Sequence, residues 1–280
     1  MGRRSRELRE RRRERELTAL RSLRLVETAP ERGCLFCRKG DGGFKSVEHV
    51  FSESLGNKEI ILPRGVVCDR CNHGPLSQLD DALLAFPPVA LQRTFRGVPN
   101  KKGQIRPLSL TGETIDYRPG VGGANPTIVV TSKTPGKSAV RNITRLPGGG
   151  GTGRLQGSGG RRVTPRYASQ ISRALLKSAL ESAWLGHGET TLEPRYDHVR
   201  AAVLGEPRDG YFIVATQSDN PNSRSVSLTQ HLVQEKDEWR MAVRANIFGV
   251  PMWTDSRLAR PLSEPPQGRA QVFTFTGSGR

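Results

Sequence analysis

Apolar and polar positions divide the chain into stretches of different period. Over residues 3–25 Arg alternates with Glu and Leu, as in Arg6-Glu7-Leu8-Arg9-Glu10, and Leu17, Leu20 and Leu23 fall near helical spacing. These are good helix formers, although the apolar stripe is thin. Two readings stay open for this arm: a solvated helix, or a basic helix lying along phosphates. Short β-compatible stretches follow at Phe44–Phe51 and Glu59–Leu62. Leu76, Leu79, Ala82 and Leu83 then recur at three- and four-residue steps, which predicts an amphipathic helix. Pro75 suits its first turn, and Pro87-Pro88 stops it.

Farther along, Thr127–Thr131 and Ala139–Thr144 read as strands. Residues 148–160 hold eight glycines in thirteen positions, a flexible linker composition. Residues 168–186 predict a helix whose apolar face is Leu176, Leu180, Ala183 and Trp184, widened by Ile171 and Leu175 and ended by Gly186. Val199–Leu204, Tyr211–Gln217, Val226–Val233 and Trp239–Phe248 read as strands, with turns at Asp209-Gly210 and Asn220-Pro221. The last twenty residues, rich in Pro and Gly, read as loose.

Charge changes this picture. The 280 residues carry a formal +17 with a pI near 10.6, which points to a polyanionic partner. The surplus is uneven: +5 over residues 1–30, −1 over 31–92, +13 over 93–175 and zero over 176–280. Arg141, Arg145, Arg154, Arg161, Arg162 and Arg166 fall in the basic stretch and are the expected nucleic-acid contacts. No apolar run reaches the roughly 18 residues of a membrane span. No apolar stretch follows the basic N-terminus, so no secretory signal is expected there. Four cysteines are too few to staple a chain of this length, which suits ligands in a reducing, cytoplasmic setting.

Those cysteines form two pairs of identical spacing, Cys34-x-x-Cys37 and Cys68-x-x-Cys71, all within the neutral segment. Each pair puts two thiolates on one tight knuckle, and two knuckles complete a tetrahedral zinc site. Such a site has no open position, so this zinc holds the fold. Inside the intervening loop lie Glu48 and His49, and Asn72 and His73 follow the last cysteine.

Cys34-x-x-Cys37, Glu48-His49-Val50-Phe51-x-Glu53-Ser54-Leu55-Gly56 and Gly65-Val66-Val67-Cys68-Asp69-Arg70-Cys71-Asn72 together resemble the four-cysteine HNH endonucleases, in the branch whose closing motif reads Cys-x-x-Cys-Asn. Leu79-Asp80-Asp81 continues the similarity, which covers about sixty residues. The resemblance implies a ββα-metal fold gripping one divalent cation. It implies that His49 is the general base, that Glu48 is an acidic metal ligand, and that Asn72 closes the motif as a ligand. Asn72 is open to a second reading as the cap of the following helix, and His73 is either a ligand or an exposed neighbour. An oxygen-rich donor set favours Mg²⁺ or Mn²⁺ over zinc. In one place the sequence departs from the pattern. The middle Asn is absent just before the second pair, where Pro63 and Arg64 stand, and Asn57 takes its place only if the loop folds back.

His187, at a helix end, suits the helix dipole, and His198 and His231 have no partner signature. Trp184, Trp239 and Trp253 read as core. The expected organisation is α+β: a basic helical arm (1–30), a zinc-stapled ββα-metal HNH module (31–90), a basic Gly-rich linker (91–162) and an accessory α+β domain (163–280). The expected function is metal-dependent hydrolysis of DNA, with RNA not excluded. The alternative is a zinc-containing nucleic-acid-binding protein without catalysis, and a ribosome-associated role fits the same charge. A membrane-surface role lacks an apolar helical face beside the basic residues.

Overall fold

The computed structural model describes residues 33–110, 113–118, 127–132, 141–143, 165–205, 214–215, 225–235, 237–256 and 271–276. The N-terminal arm, the glycine-rich stretch 148–160 and Arg145, Arg154, Arg161 and Arg162 lie outside these residues. The fold is α+β, as the alternation of patterns predicts.

Residues 33–67 contain little regular structure. The two predicted strands reduce to a single antiparallel bridge, His49 to Ile61, flanked by Val50 N donating to Ile60 O and Leu62 N to Glu48 O. The reason lies in side chains that take the backbone donors a ladder would need. Asp69 accepts from the backbone N–H groups of Lys45 and Ser46, and the Asn57 side chain accepts from that of Ile60. After Cys68 the chain winds through a helical turn, breaks at Gly74, and enters α1 (Ser77–Ala85). The predicted face is the buried one: Leu79, Ala82 and Leu83, with Leu76 just before them. The two prolines that end α1 also begin α2 (Pro87–Phe95), because proline's fixed φ suits a first turn.

A four-stranded antiparallel meander follows: β1 (Leu108–Leu110), β2 (Glu113–Arg118), β3 (Thr127–Ser132) and β4 (Arg141–Ile143). Arg141 opens β4. The helix predicted over 168–186 is α3 (Pro165–His187), and Arg166 lies in its first turn. Next comes α4 (Asp197–Leu204), where a strand is predicted from the valines. Val199, Ala202 and Val203 are all buried, and three- and four-residue steps are a helical face, so tertiary packing overrides β-branched propensity.

The second sheet is antiparallel, in the order β5 (Val214–Ala215), β8 (Val250–Asp255), β7 (Glu238–Ile247), β6 (Ser225–Glu235), β9 (Gln271–Thr276). Strand β9 lies in the tail expected to be loose. Its Val-Phe-Thr-Phe-Thr run pairs with β6 from Thr276 opposite Ser225 to Gln271 opposite Gln230.

Helix α3 is the hub. It packs against α1 on one side, against β6, β7 and β8 on another, and against α4. One core cluster runs from Cys34 through α1 and α3 to Met252. A helix enclosed on all sides must bury polar residues, and each buried polar group needs a partner. Ser172 pairs with Thr254, the Ser182 hydroxyl donates to Gln230 Oε1, and Arg173 donates to the Val203 carbonyl at the end of α4. Among the described residues no helix is long and apolar enough to cross a membrane.

Leu180 is fully buried within α3. Leu180→Ala should cost about 2–5 kcal/mol in urea unfolding, the usual penalty for a core leucine. A loss below about 1 kcal/mol would mean that the helix is not enclosed on all sides.

Candidate functional site

The four cysteines come together. Their sulfurs lie within 4.8 Å of one another, and all four are free thiols. Sulfurs at about 2.3 Å from a central ion sit at tetrahedron edges of about 3.8 Å. The Cys37 and Cys68 sulfurs are 3.7 Å apart, well beyond a disulfide bond of about 2.05 Å. The knuckles are built by the backbone: Arg38 N donates to Cys34 O, and Asn72 N to Cys68 O. The Phe36 and Cys68 N–H groups point at Cys34 Sγ, at 3.4 and 3.3 Å. Leu35 N donates to Val66 O and joins one knuckle to the other. Gly42 is required by space, since a Cβ there would lie 2.7 Å from Cys68 Sγ.

Without a cation the thiols share one another's protons. A hydrogen bond from Cys71 pulls Cys34 down to about 5, the same bond pushes Cys71 up, and burial pushes Cys68 up to about 11. A divalent ion relieves this conflict by letting further thiols ionise. The four cysteines are positioned to bind a metal, and an all-thiolate tetrahedron suits zinc.

Two side-chain networks fix the Glu48-His49 segment against this cluster. The Asp69 carboxylate accepts from the backbone N–H and hydroxyl of Ser46 and from Lys45 N, and these bonds hold its pKa below the usual carboxylate value. The Asn72 amide donates to Ser46 Oγ (3.2 Å) and to Val47 O (3.1 Å). It therefore braces the chain one residue before Glu48. It does not cap α1, which begins after Leu76 with no side-chain cap. Both amide protons are committed, which leaves the carbonyl oxygen as its ligand atom. His73 is exposed beside it.

Asn57 is the second fixture, and it is 1% exposed. Its amide donates to Phe51 O (2.9 Å) and Ile60 O (2.8 Å), and its oxygen accepts from the Glu59 and Ile60 N–H groups. The loop does fold back, so one asparagine joins the segments on either side of it. Sequence reasoning looked for this residue beside Cys68. Gly56, at a φ of +86°, turns the chain just before Asn57.

His49 is half-buried at the bridge. Burial holds its pKa below the usual imidazole value, opposed by the charge of Glu53. Glu48 is 5% exposed and faces inward: its Oε1 lies 2.6 Å from Lys177 Nζ. Lys177, on α3, is fully buried and also donates to Asp80 on α1 at 3.0 and 3.1 Å. Burial would neutralise the lysine, but Asp80, Glu181 and Glu48 outweigh it and keep it charged above its usual pKa. The structure thus brings together the cysteines, Asn72 and the segment of His49, while Glu48 turns to Lys177. Among the described residues, only the four cysteines place three or more His, Cys, Asp or Glu ligand atoms close enough to hold an ion.

His187 is exposed at the end of α3, and His198 and His231 are half-buried outside this network. Trp184 packs on the core, and Trp253 lies under the Arg244 guanidinium at 4.6 Å.

Residues 34–85 match a family model described as HNH endonuclease. The chain thus carries an HNH endonuclease domain reaching from the first cysteine of the cluster to the last residue of α1. No curated protein and no solved structure matches the chain.

The purified protein should carry one zinc ion per chain by atomic absorption. Cys71→Ser should lose it and lower the melting temperature by several degrees, because ion binding here is folding energy. Full zinc occupancy in Cys71→Ser would show that the cluster is not the site.

Proposed function

We propose that the protein is a metal-dependent HNH endonuclease that hydrolyses phosphodiester bonds in DNA, with His49 as the general base. The supporting observation is the fixation of the His49 segment by Asn57 on one side and by Asn72 and Asp69 on the other, next to a four-thiol cluster. On this reading the core of the domain is of the ββα-metal type, in which the two bridged segments and α1 frame the site. A base must be held within hydrogen-bond reach of its water, and it must be neutral to accept a proton. Burial of the imidazole favours the neutral form near pH 7.

His49 would take a proton from water as the water oxygen bonds to phosphorus. The bond to the 3′ oxygen then breaks, that oxygen takes a proton from a solvent water, and the His49 imidazolium returns its own proton to solvent. Mg²⁺ or Mn²⁺, held by the Asn72 carbonyl oxygen and His73, would supply charge to the crowded phosphate when bound. Glu48, committed to Lys177, does not fit that ligand set. The four-cysteine zinc would be structural.

The domain carries a near-neutral charge, so DNA would be held elsewhere. Arg141 in β4, Arg166 in α3, and Arg145, Arg154, Arg161 and Arg162 belong to the +13 stretch and are the proposed phosphate contacts. The division into an arm, an HNH module, a basic linker and an accessory region is proposed on the same grounds.

Supercoiled plasmid should be nicked in Mg²⁺ or Mn²⁺ and not in chelator, and His49→Ala should lower the rate roughly 10²- to 10⁴-fold. Nicking that survives in His49→Ala removes His49 as base. Absence of nicking in every divalent ion favours the binding-only alternative.

The rate should rise with pH through a midpoint below about 6.5, the ordinary imidazole value, and be flat from there to about pH 8. The sign follows from the neutral imidazole being the active form and from burial lowering its pKa. A midpoint above about 7 contradicts this.

Replacing the six arginines by glutamine should flatten the dependence of log K on log salt by up to about 0.9 per lost phosphate contact. An unchanged slope in filter binding would place the DNA elsewhere.

A further inference from the structure

A fully buried ammonium is the least expected group in the molecule. Lys177 Nζ faces four acceptors from three parts of the chain. These are Glu48 Oε1 at 2.6 Å, both Asp80 oxygens at 3.0 and 3.1 Å, the His49 backbone carbonyl at 3.4 Å, and Glu181 Oε2 at 3.6 Å one turn along the same helix. An ammonium has three protons to donate. Glu48, Asp80 and the His49 carbonyl use all three, and Glu181 is left with only the longer ion pair and no hydrogen bond.

We propose that Lys177 is a positioning residue for His49, and that Glu48 is its counter-ion and not a ligand of the catalytic ion. This rests on the nuclease reading above.

Two consecutive residues, Glu48 and His49, are gripped by one cation, the first through its side chain and the second through its carbonyl. The same two residues are paired on their other edge with Leu62 and Ile61. The imidazole is therefore carried by backbone fixed from both directions. The inward grip comes from α3, about 130 residues away in sequence, so the C-terminal region is part of the catalytic unit. A divalent cation at Glu48 would have to share that carboxylate with an ammonium already 2.6 Å from its Oε1, where both side chains are buried. Like charges that close, without water, repel strongly.

The experiment uses the zinc-loaded full chain and Mn²⁺. Glu48→Gln removes the charge but keeps an oxygen for Lys177. Its Mn²⁺ concentration for half-maximal nicking should stay within about threefold of wild type. A larger rise overturns the proposal, because it ties Glu48 to the ion directly or through a ligand, and even indirect partners change affinity by about 10- to 100-fold.

The triple variant Lys177→Met, Glu48→Gln, Glu181→Gln removes the ammonium without stranding two of its acids. It should retain zinc and its circular dichroism, lose at least about tenfold in kcat, and keep the wild-type KM for plasmid. A folded triple variant with wild-type kcat overturns the proposal. Should it not fold, Lys177→Arg, which replaces the point donor by a planar head, is read in the same way.

An arm that needs no activity separates this proposal from the nuclease reading. The Cε1 proton signal of His49 in the NMR spectrum should shift or broaden in the variant, while those of His187 and His231 stay. If wild type never nicks, the nuclease reading fails and this signal alone decides: an unmoved His49 overturns the positioning role.

Discussion

The four-thiol cluster is the constraint on which the domain of residues 34–85 depends. Between Cys37 and Cys68 the chain makes one β-bridge and a single 3₁₀ turn, too little regular structure to hold itself. Tying the two knuckles together fixes the ends of that loop, and the remaining contacts then become possible at small entropic cost. Asp69 sits one residue past Cys68 and Asn72 one past Cys71, so the second knuckle delivers two side chains to the segment opposite it. Asp69 reaches Ser46, and Asn72 reaches Val47. The cluster thus determines where His49 is through side chains that flank it.

Helix α3 imposes the second constraint. Its positions 173, 177 and 181 form one ridge at four-residue spacing, and each is an ionisable residue. Such a ridge ordinarily faces water. Here it is enclosed between α1, α4 and the sheet, and each end of the ridge is met differently. Arg173 finds the buried Val203 carbonyl at the end of α4, as cations near helix C-termini do. Lys177 finds two carboxylates and a carbonyl. Glu181 finds only Lys177, and burial pushes its pKa well up, towards the protonated form.

Much of the fold was legible because its signals are local. The cysteine spacing, the buried face of α1 and the length of α3 all follow from periods of three to four residues. The strands β6 and β7 were read within two residues of their ends. What was not legible is what depends on distant partners. Val199–Leu204 carries a strand composition and becomes α4 because α3 offers it a groove. Gln271–Thr276 reads as tail until β6 supplies an edge. The four-cysteine cluster is legible from its spacing, and the motif singles out His49 and Asn72, which the structure sets on segments joined to it. Asn57 was recognised only conditionally, because its role depends on the loop closing. Lys177 and Glu181 were not found at all, since within α3 they look like an ordinary solvated pair at i and i+4. Their function depends on Glu48 and Asp80, on elements about 100 residues away or more. For the same reason the pairing of Glu48 with Lys177 is invisible in the sequence: next to a histidine, with no lysine in view, a carboxylate suggests a metal.

Why a charged cluster lies in this interface, where leucine and methionine would pack, is a question of specificity more than of stability. Replacing a buried ion pair by apolar residues of similar volume is often neutral or favourable, because desolvation offsets the attraction. Apolar surfaces, however, tolerate sliding. Helices α1 and α3 pack together in a core that includes Leu79, Leu83, Leu176 and Leu180, and apolar side chains can pack in more than one register with little loss. An ammonium with three acceptors at fixed positions cannot. Displacing α3 by one residue would carry Lys177 away from Asp80 and leave two or more carboxylates facing each other without water, a state far costlier than a poor apolar contact. The cluster therefore selects a single seating of α3 on the domain, and that seating holds the backbone of Glu48 and His49 in place. On the proposed nuclease reading, a site that keeps a base within a fraction of an ångström of its water gains more from such a selection than from a few further methyl contacts.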